Sequence, residues 1–151
     1  MQEYRAEFTE FVERFESRLR QALVGACGDE RARDAAADGL VYAWEHWGRI
    51  REMANAEGYV YRVARSRARL RRVRIVFPTV GSELPDVEPR LPLALARLTE
   101  RQRVSVILVH GWDWRHEDVA ALLGTSVSTV RNHLARGIDR LREELGVHVD
   151  R

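Results

Sequence analysis

The sequence predicts an all-α protein built from two small helical domains that are joined by a proline-rich linker. Three observations support this prediction. Apolar residues recur at steps of three or four over several long segments, which is the period of an amphipathic helix. No stretch of the 151 residues alternates as a half-buried strand would. All four prolines lie within residues 75–92, where the helical period stops and the chain is expected to connect two domains.

The N-terminal domain, residues 1–74, is predicted to be a bundle of three helices. The first helix covers about residues 3–24. The second covers about residues 30–46 and follows a predicted N-cap at Asp29. The third covers about residues 56–74. The apolar side chains of the second helix that we expect to face inward are Leu40, Val41 and Trp44.

Charge is distributed unevenly along the chain. The formal net charge is only +2, and all 25 basic residues are Arg. Residues 1–61 contain 8 Arg and 12 acidic residues, whereas residues 62–74 contain 7 Arg and no acid. A block of like charge this dense repels itself unless it meets a polyanion. The third helix is therefore predicted to bind nucleic acid, although a solvated helix end would carry the same pattern.

The C-terminal domain, residues 93–151, has the spacing of a helix-turn-helix. A short helix over residues 117–123 is followed by Gly124, which tolerates a positive φ, and by Ser126, which is expected to cap a last helix over about residues 127–145. The outward side of that helix is polar and suits the major groove of DNA. Its residues are Ser128, Thr129, Arg131, Asn132 and Arg136, with His133 near the boundary.

Two further features precede this module. Residues 99–102 read Thr-Glu-Arg-Gln, which fits the capping box of a helix that ends near Gly111. The tryptophans Trp112 and Trp114 are expected to pack between this helix and the helix-turn-helix.

The residue types give no support to an enzyme, a metal site or a cofactor. The five histidines are scattered, no glycine-rich loop precedes a helix, and Cys27 is the only cysteine. The acidic, amphipathic N-terminus is unlike a secretory signal, and no apolar run approaches the roughly 20 residues of a membrane span. The sequence therefore predicts a cytoplasmic binding protein.

Segments of both domains resemble those of bacterial sigma factors. The run Leu-Thr-Glu-Arg-Gln-Arg at residues 98–103 and the segments 119–124 and 128–131 resemble region 4 of the sigma-70 family, closest to its extracytoplasmic-function (ECF) group. Residues 32–44 and 58–66 resemble region 2 of the same family. The resemblance covers almost the whole chain, in the expected order.

The resemblance implies a function for each domain. A region 2-like domain, residues 1–74, would bind the clamp coiled coil of the polymerase β′ subunit and open the −10 promoter element. The implied polymerase-binding residues are Asp34, Asp38, Leu40 and Trp44. The implied −10 residues are Asn55, in a predicted loop over residues 48–58, and Arg62, Arg65, Ser66 and Arg69 on the third helix.

After a linker over residues 75–92, a region 4-like domain over residues 93–151 would read the −35 element as duplex DNA and contact the β flap. The six polar residues of the last helix would contact the −35 bases and phosphates. Promoter DNA and the polymerase core are thus the implied partners, and an anti-sigma factor is a further candidate.

Two alternatives stay open at this point. A transcription regulator of the LuxR type would carry a similar helix-turn-helix, and the pair Asn132-His133 suits that family. A degenerate sigma relative would act mainly through protein contacts. The second alternative is favoured by Ala37, because the family often has Gln there in the polymerase-binding helix.

Overall fold

The computed structural model describes residues 1–70 and 89–147, and every regular element within these ranges is a helix. The all-α prediction is confirmed. In chain order the helices are α1 (Gln2–Cys27), α2 (Asp29–Glu45), α3 (Trp47–Ile50), α4 (Ala56–Leu70), α5 (Leu91–Ala96), α6 (Glu100–Val106), which continues as a π-helix over Ile107–Gly111, α7 (His116–Leu123) and α8 (Val127–Leu145).

The predicted linker over residues 75–92 lies mostly outside the described residues, as do the three arginines at positions 71, 72 and 74. Its last two residues belong to a helix, because Leu91 and Pro92 open α5. Proline is tolerated there since the first turn of a helix leaves its N–H groups without an intrahelical partner. The boundaries of the two domains stay a prediction.

Helices α1, α2 and α4 form the N-terminal half. The buried face of α1 carries Phe11, Phe15, Leu19 and Leu23, whereas α2 buries mainly small residues. This small-residue face lets α2 approach α4 closely: a Cβ added at Gly39 would lie 2.7 Å from the Cβ of Ala64. Helices α2 and α4 are therefore held together by the close approach of their backbones, and α1 adds the packing of its aromatic side chains.

Three expectations for this half are wrong. The N-cap of α2 is Gly28, and Asp29 lies in the first turn, where a carboxylate is favoured by the helix dipole. Residues 48–58 are not all loop, because α3 occupies Trp47–Ile50 and α4 begins at Ala56. Val41 and Trp44 do not face inward: they are 56% and 40% exposed, because the small residues of α2 occupy its buried face.

Helices α6, α7 and α8 form the C-terminal half, with α5 packed on α8. The capping box of α6 is present, with Thr99 accepting from the Gln102 backbone N–H. Gly124 ends α7 with φ 66° in the left-handed region, and the Ser126 side chain accepts from the Thr129 N–H at the start of α8. Of the two tryptophans that were expected to pack here, Trp114 is buried and Trp112 is 42% exposed.

The two halves pack directly against each other. Helix α6 lies so close to α1 that a Cβ added at Gly25 would be 2.9 Å from the Cα of Val104. The buried Arg103 donates to the backbone oxygens of Gly25 and Ala26 at the end of α1. Helix α4 also contacts α7. The halves therefore share one continuous core.

Candidate nucleic-acid interface

The last helix, α8, presents one apolar and one polar side, as its sequence period predicts. Val130, Leu134 and Leu141 are buried, and Gly137 lies against Val106 of α6, with its missing Cβ 2.8 Å from a Val106 methyl group. Ser128, Arg131, Asn132 and Arg136 are exposed, and Thr129 and His133 are half-buried. The structure thus brings the six predicted −35 residues together along one side of α8.

The outward side of α8 is positive over its first three turns. No acidic residue occurs between residues 127 and 138. Partial burial, and then the nearby charges of Arg101 and Arg136, lower the pKa of His133 below its ordinary 6.5. His133 is therefore neutral at pH 7, and the positive charge of this surface comes from the arginines.

The five predicted −10 residues also share one side of the molecule, along α4 and the turn before it. Arg62 and Ser66 are exposed. Asn55 also has a local role that was not among the sequence-based predictions: its Oδ1 accepts from the Gly58 N–H at 3.0 Å and caps α4. Its Nδ2 donates to the Ala121 backbone oxygen of α7 at 2.7 Å. An Asn directly before a helical segment is a known capping signal, and it could have revealed the first of these roles.

Two of the predicted −10 arginines are ion-paired with the C-terminal half. Arg65 and Arg69, one turn apart on α4, both donate to the carboxylate of Glu100 in the first turn of α6. Burial by itself would raise the pKa of Glu100, but the hydrogen bonds from the two guanidinium groups outweigh it and hold the pKa below its ordinary 4.5. The sequence does not mark Glu100 as a partner of these arginines, because an acid in the first turn of a helix is already favoured by the helix dipole.

A second basic and aromatic cluster lies at the junction of α2, α3 and α4. Arg49 donates to the hydroxyl oxygens of Tyr42 and Tyr59 at 3.1 and 3.2 Å. The guanidinium carbon of Arg67 is 5.3 Å from the ring centre of Tyr42, and His46 stacks on the same ring at 4.1 Å. Aromatic rings beside arginines are the usual elements of single-strand binding surfaces. The sequence does not reveal this cluster, because Tyr42 and Arg49 meet Tyr59 only through tertiary packing.

The predicted polymerase-binding residues lie along α2. Asp34 is exposed, Asp38 and Leu40 are half-buried, and Trp44 is partly exposed against Tyr4 and Phe8, at ring distances of 6.3 and 5.1 Å. With the exposed Val41, they give α2 a mixed acidic and apolar surface. Exposed apolar side chains next to polar ones are typical of protein-binding surfaces.

Within residues 1–70 and 89–147, no group of three His, Cys, Asp or Glu side chains could hold a metal ion. None of the helices in these ranges is both long and apolar enough to cross a membrane.

The fold and this surface define a helix-turn-helix protein with a second, arginine-bearing helical half. Residues 90–141 match the family described as sigma-70, region 4. The chain is 32% identical to the RNA polymerase sigma-E factor of Streptomyces avermitilis, over 92% of this chain and 85% of that protein. It is 31% identical to the protein of the same name from Streptomyces coelicolor, over 92% of this chain and 86% of that protein.

A solved structure is similar over nearly the full length. It is the sigma factor RpoE of Bartonella quintana in complex with the anti-sigma factor NepR, with a TM-score of 0.66 and 22% identity, covering 95% of this chain and 99% of that chain. The protein belongs to the sigma-70 family of RNA polymerase sigma factors, in the ECF group. It directs RNA polymerase to promoters, and its partners are the polymerase core and promoter DNA. The sigma interpretation is confirmed over the LuxR-type alternative, because the relatives match both halves of the chain.

Proposed function

We propose that α8 reads the −35 element as duplex DNA and that α4 holds the −10 element as a single strand. The proposal rests on the polar side of α8, which begins at the Ser126 cap. Arg131 and Asn132 project from it without an acidic neighbour, which suits guanine and adenine edges in the major groove. Ser128, Thr129 and Arg136 are suited to phosphates on either side, and the neutral His133 to a hydrogen bond at the edge of the contact.

The −10 strand would follow α4. Arg62 and Ser66 are exposed and available to its phosphates and bases. Arg65 and Arg69 would join them once Glu100 has moved away, and so would Asn55 once its bond to Ala121 is broken. The Tyr42, Tyr59 and Arg49 cluster would supply stacking surfaces for unpaired bases.

Helix α2 would hold the polymerase. We assign the clamp coiled coil of β′ to Asp34, Asp38, Leu40 and Trp44, and the β flap to the C-terminal half. The protein would have no enzymatic activity of its own and would work in the cytoplasm with the polymerase. An anti-sigma factor is a proposed partner as well, supported by the similar Bartonella protein, which was solved with one.

Run-off transcription with purified polymerase core and promoters selected from genomic DNA by the holoenzyme tests this proposal. We expect R131A to lose duplex −35 binding and initiation together. R65A should lose promoter opening, measured by permanganate reactivity of unpaired thymines, while −35 binding is retained. R140A is the matched control, because Arg140 lies on α8 but is placed near Glu144 and away from the first turns.

Equal losses by R131A and R65A in both assays would contradict the division of roles. Duplex binding without any initiation by the wild type would instead favour the degenerate sigma relative. Binding of both elements should weaken as salt rises, because phosphate contacts release counterions.

A further inference from the structure

One histidine lies on the surface that we assign to duplex DNA. His133 is half-buried on α8, at the boundary between the apolar side of this helix and its polar, outward side. Thr129 lies one turn before it and Arg136 one turn after it, so the three side chains are neighbours along the helix. Both of these neighbours are proposed above to contact phosphates. The imidazole ring would therefore border the path of the DNA backbone.

The charged groups that act on this ring are basic. Partial burial, followed by the charges of Arg101 of α6 and Arg136 of α8, lowers the pKa of His133 below its ordinary 6.5. The first acid of α8 is Asp139, almost two turns further on. The ring is therefore neutral near pH 7 in the free chain, although two arginines of the same surface are charged beside it.

The acids of the helices packed against α8 do not compensate for these arginines. Asp118 of α7 pairs with an arginine of α1 at 3.4 Å, and Glu117 beside it is exposed. Glu100 of α6 is held by the arginines of α4. Helix α5 reaches the far end of α8, where Arg97 pairs with Glu144. Within residues 1–70 and 89–147, no carboxylate acts on the ring.

A phosphate beside the ring would supply the anion that the protein does not provide. A neighbouring anion favours the charged form of a histidine and raises its pKa, whereas neighbouring cations lower it. The charged ring also has two N–H donors, where the neutral ring has one. Binding of DNA and binding of a proton at this ring are therefore coupled, and each strengthens the other by the same factor.

We propose that His133 is a proton-dependent phosphate contact: it is neutral in the free chain, takes up one proton from solvent when α8 binds duplex DNA, and makes −35 binding tighter as the pH falls. The proposal rests on the function proposed above for α8. Affinity should rise as the pH falls through the pKa that His133 has in the complex, and it should level off below the pKa of the free chain.

The first test measures binding of the full chain to a fluorescein-labelled, mixed-sequence DNA duplex by fluorescence anisotropy. One phosphate contact contributes a slope of about 0.9 in log K against log salt, which is about eightfold between 1 M and 0.1 M salt. At 0.1 M salt the wild type should bind on the order of 3- to 8-fold more tightly at about pH 5.5 than at about pH 8. Its salt slope should be steeper in acid by up to about 0.9.

Two substitutions of His133 separate its charge from its packing. H133Q is neutral at every pH and should bind as the wild type does at about pH 8, without the gain in acid. H133R is always charged and should bind at about pH 8 as tightly as the wild type does in acid. H116Q is the matched control and should keep the gain, because His116 is a half-buried histidine of the same half but lies on α7.

The second test follows the ring directly and does not depend on how well a variant folds. Nuclear magnetic resonance of wild-type chain labelled with carbon-13 at histidine Cε1 gives the pKa of each ring, and the spectrum of H133Q, or failing that of H133R, assigns the signal of His133. We expect the pKa of His133 to rise when the duplex is added and the pKa of His116 to change less.

The outcomes separate this proposal from the one on which it rests. A gain in acid that H133Q retains, or that H116Q loses instead, would overturn the role of His133. A pKa of His133 that is unchanged or lower in the complex would do the same. The proposed function of α8 would fail in another way: R131A would then bind the duplex and initiate transcription as well as the wild type does.

Discussion

The guanidinium Nε of Arg103 donates to the backbone oxygen of Gly25 at 2.6 Å, and this bond joins the two halves of the protein deep in their interface. The same side chain donates to the oxygens of Ala26 and Leu98. These oxygens of Gly25 and Ala26 lie at the C-terminal end of α1, where carbonyl groups lack intrahelical donors and a positive charge is favoured. Arg103 is therefore a helix cap that comes from 78 residues away in the chain.

Replacing Arg103 with Met should destabilise the whole chain, because it leaves buried carbonyl oxygens without donors. We expect a loss of about 2 kcal/mol or more in the free energy of unfolding, measured by urea denaturation. R101M is the control, since Arg101 is exposed, and it should change stability by less than about 0.5 kcal/mol. Equal effects of the two substitutions would show that the interface bonds contribute little.

The cap of α8 should be measurable in the same way. Ser126 accepts from the Thr129 N–H at 3.1 Å, so S126A should lower the free energy of unfolding by about 1 kcal/mol. S126D should restore most of the loss, because its carboxylate accepts the same bond and lies favourably at the positive end of the helix. If S126D were as unstable as S126A, the bond would not explain the stability of this helix start.

Acid should remove the stabilisation that Glu100 provides. Its pKa in the folded state lies below the ordinary 4.5, so the ionised carboxylate stabilises the fold above that pH, and this contribution is lost as the pH falls through the lower, folded-state pKa. The difference in unfolding free energy between the wild type and E100Q should therefore be constant from about pH 6 to 7.5 and should shrink in acid below about pH 4.5. A difference that does not change with pH would show that the ion pairs with Arg65 and Arg69 are not formed in solution.

Cys27 should react slowly with thiol reagents while the protein is folded. Burial raises the pKa of its thiol to about 11, although Arg31 opposes this, and the Sγ–H group donates to the Leu23 oxygen at 3.1 Å. At pH 8 only about one thiol in a thousand would be ionised, and the thiolate is the reactive form. We expect reaction with Ellman's reagent to be fast in 6–8 M urea and at least about a hundredfold slower without it. Comparable rates in the two conditions would mean that the end of α1 opens readily.

Features that depend on residues close together in the sequence could be predicted. Gly124 and Ser126 are local signals: one marks a left-handed backbone and the other supplies a side-chain acceptor three residues before an N–H group. The period of apolar residues in α8 correctly separated Val130 and Leu134 from Arg131 and Asn132. The grouping of the polar residues on the outward side of α8 is therefore predictable, because the spacing of residues along a regular helix fixes the direction of each side chain.

The orientation of α2 could not be predicted in this way. Val41 and Trp44 are among the large apolar residues of α2, and a rule that buries large apolar side chains places them inside. They are exposed because α2 meets α4 through Gly39 and Ala64, where only the absence of a side chain permits the contact. The close approach of the α2 and α4 backbones therefore determines which side of α2 is buried.

The sequence alone determined the all-α class, the helix-turn-helix, the positive character of α4 and the membership of the sigma-70 family, since all of these depend on composition, period and local motifs. Only the tertiary structure determined which groups the arginines of α4 contact. Arg65 and Glu100 are 35 residues apart, and no local rule relates them. They meet because Gly25 lets α6 lie against α1, which brings the first turn of α6 to the arginines of α4.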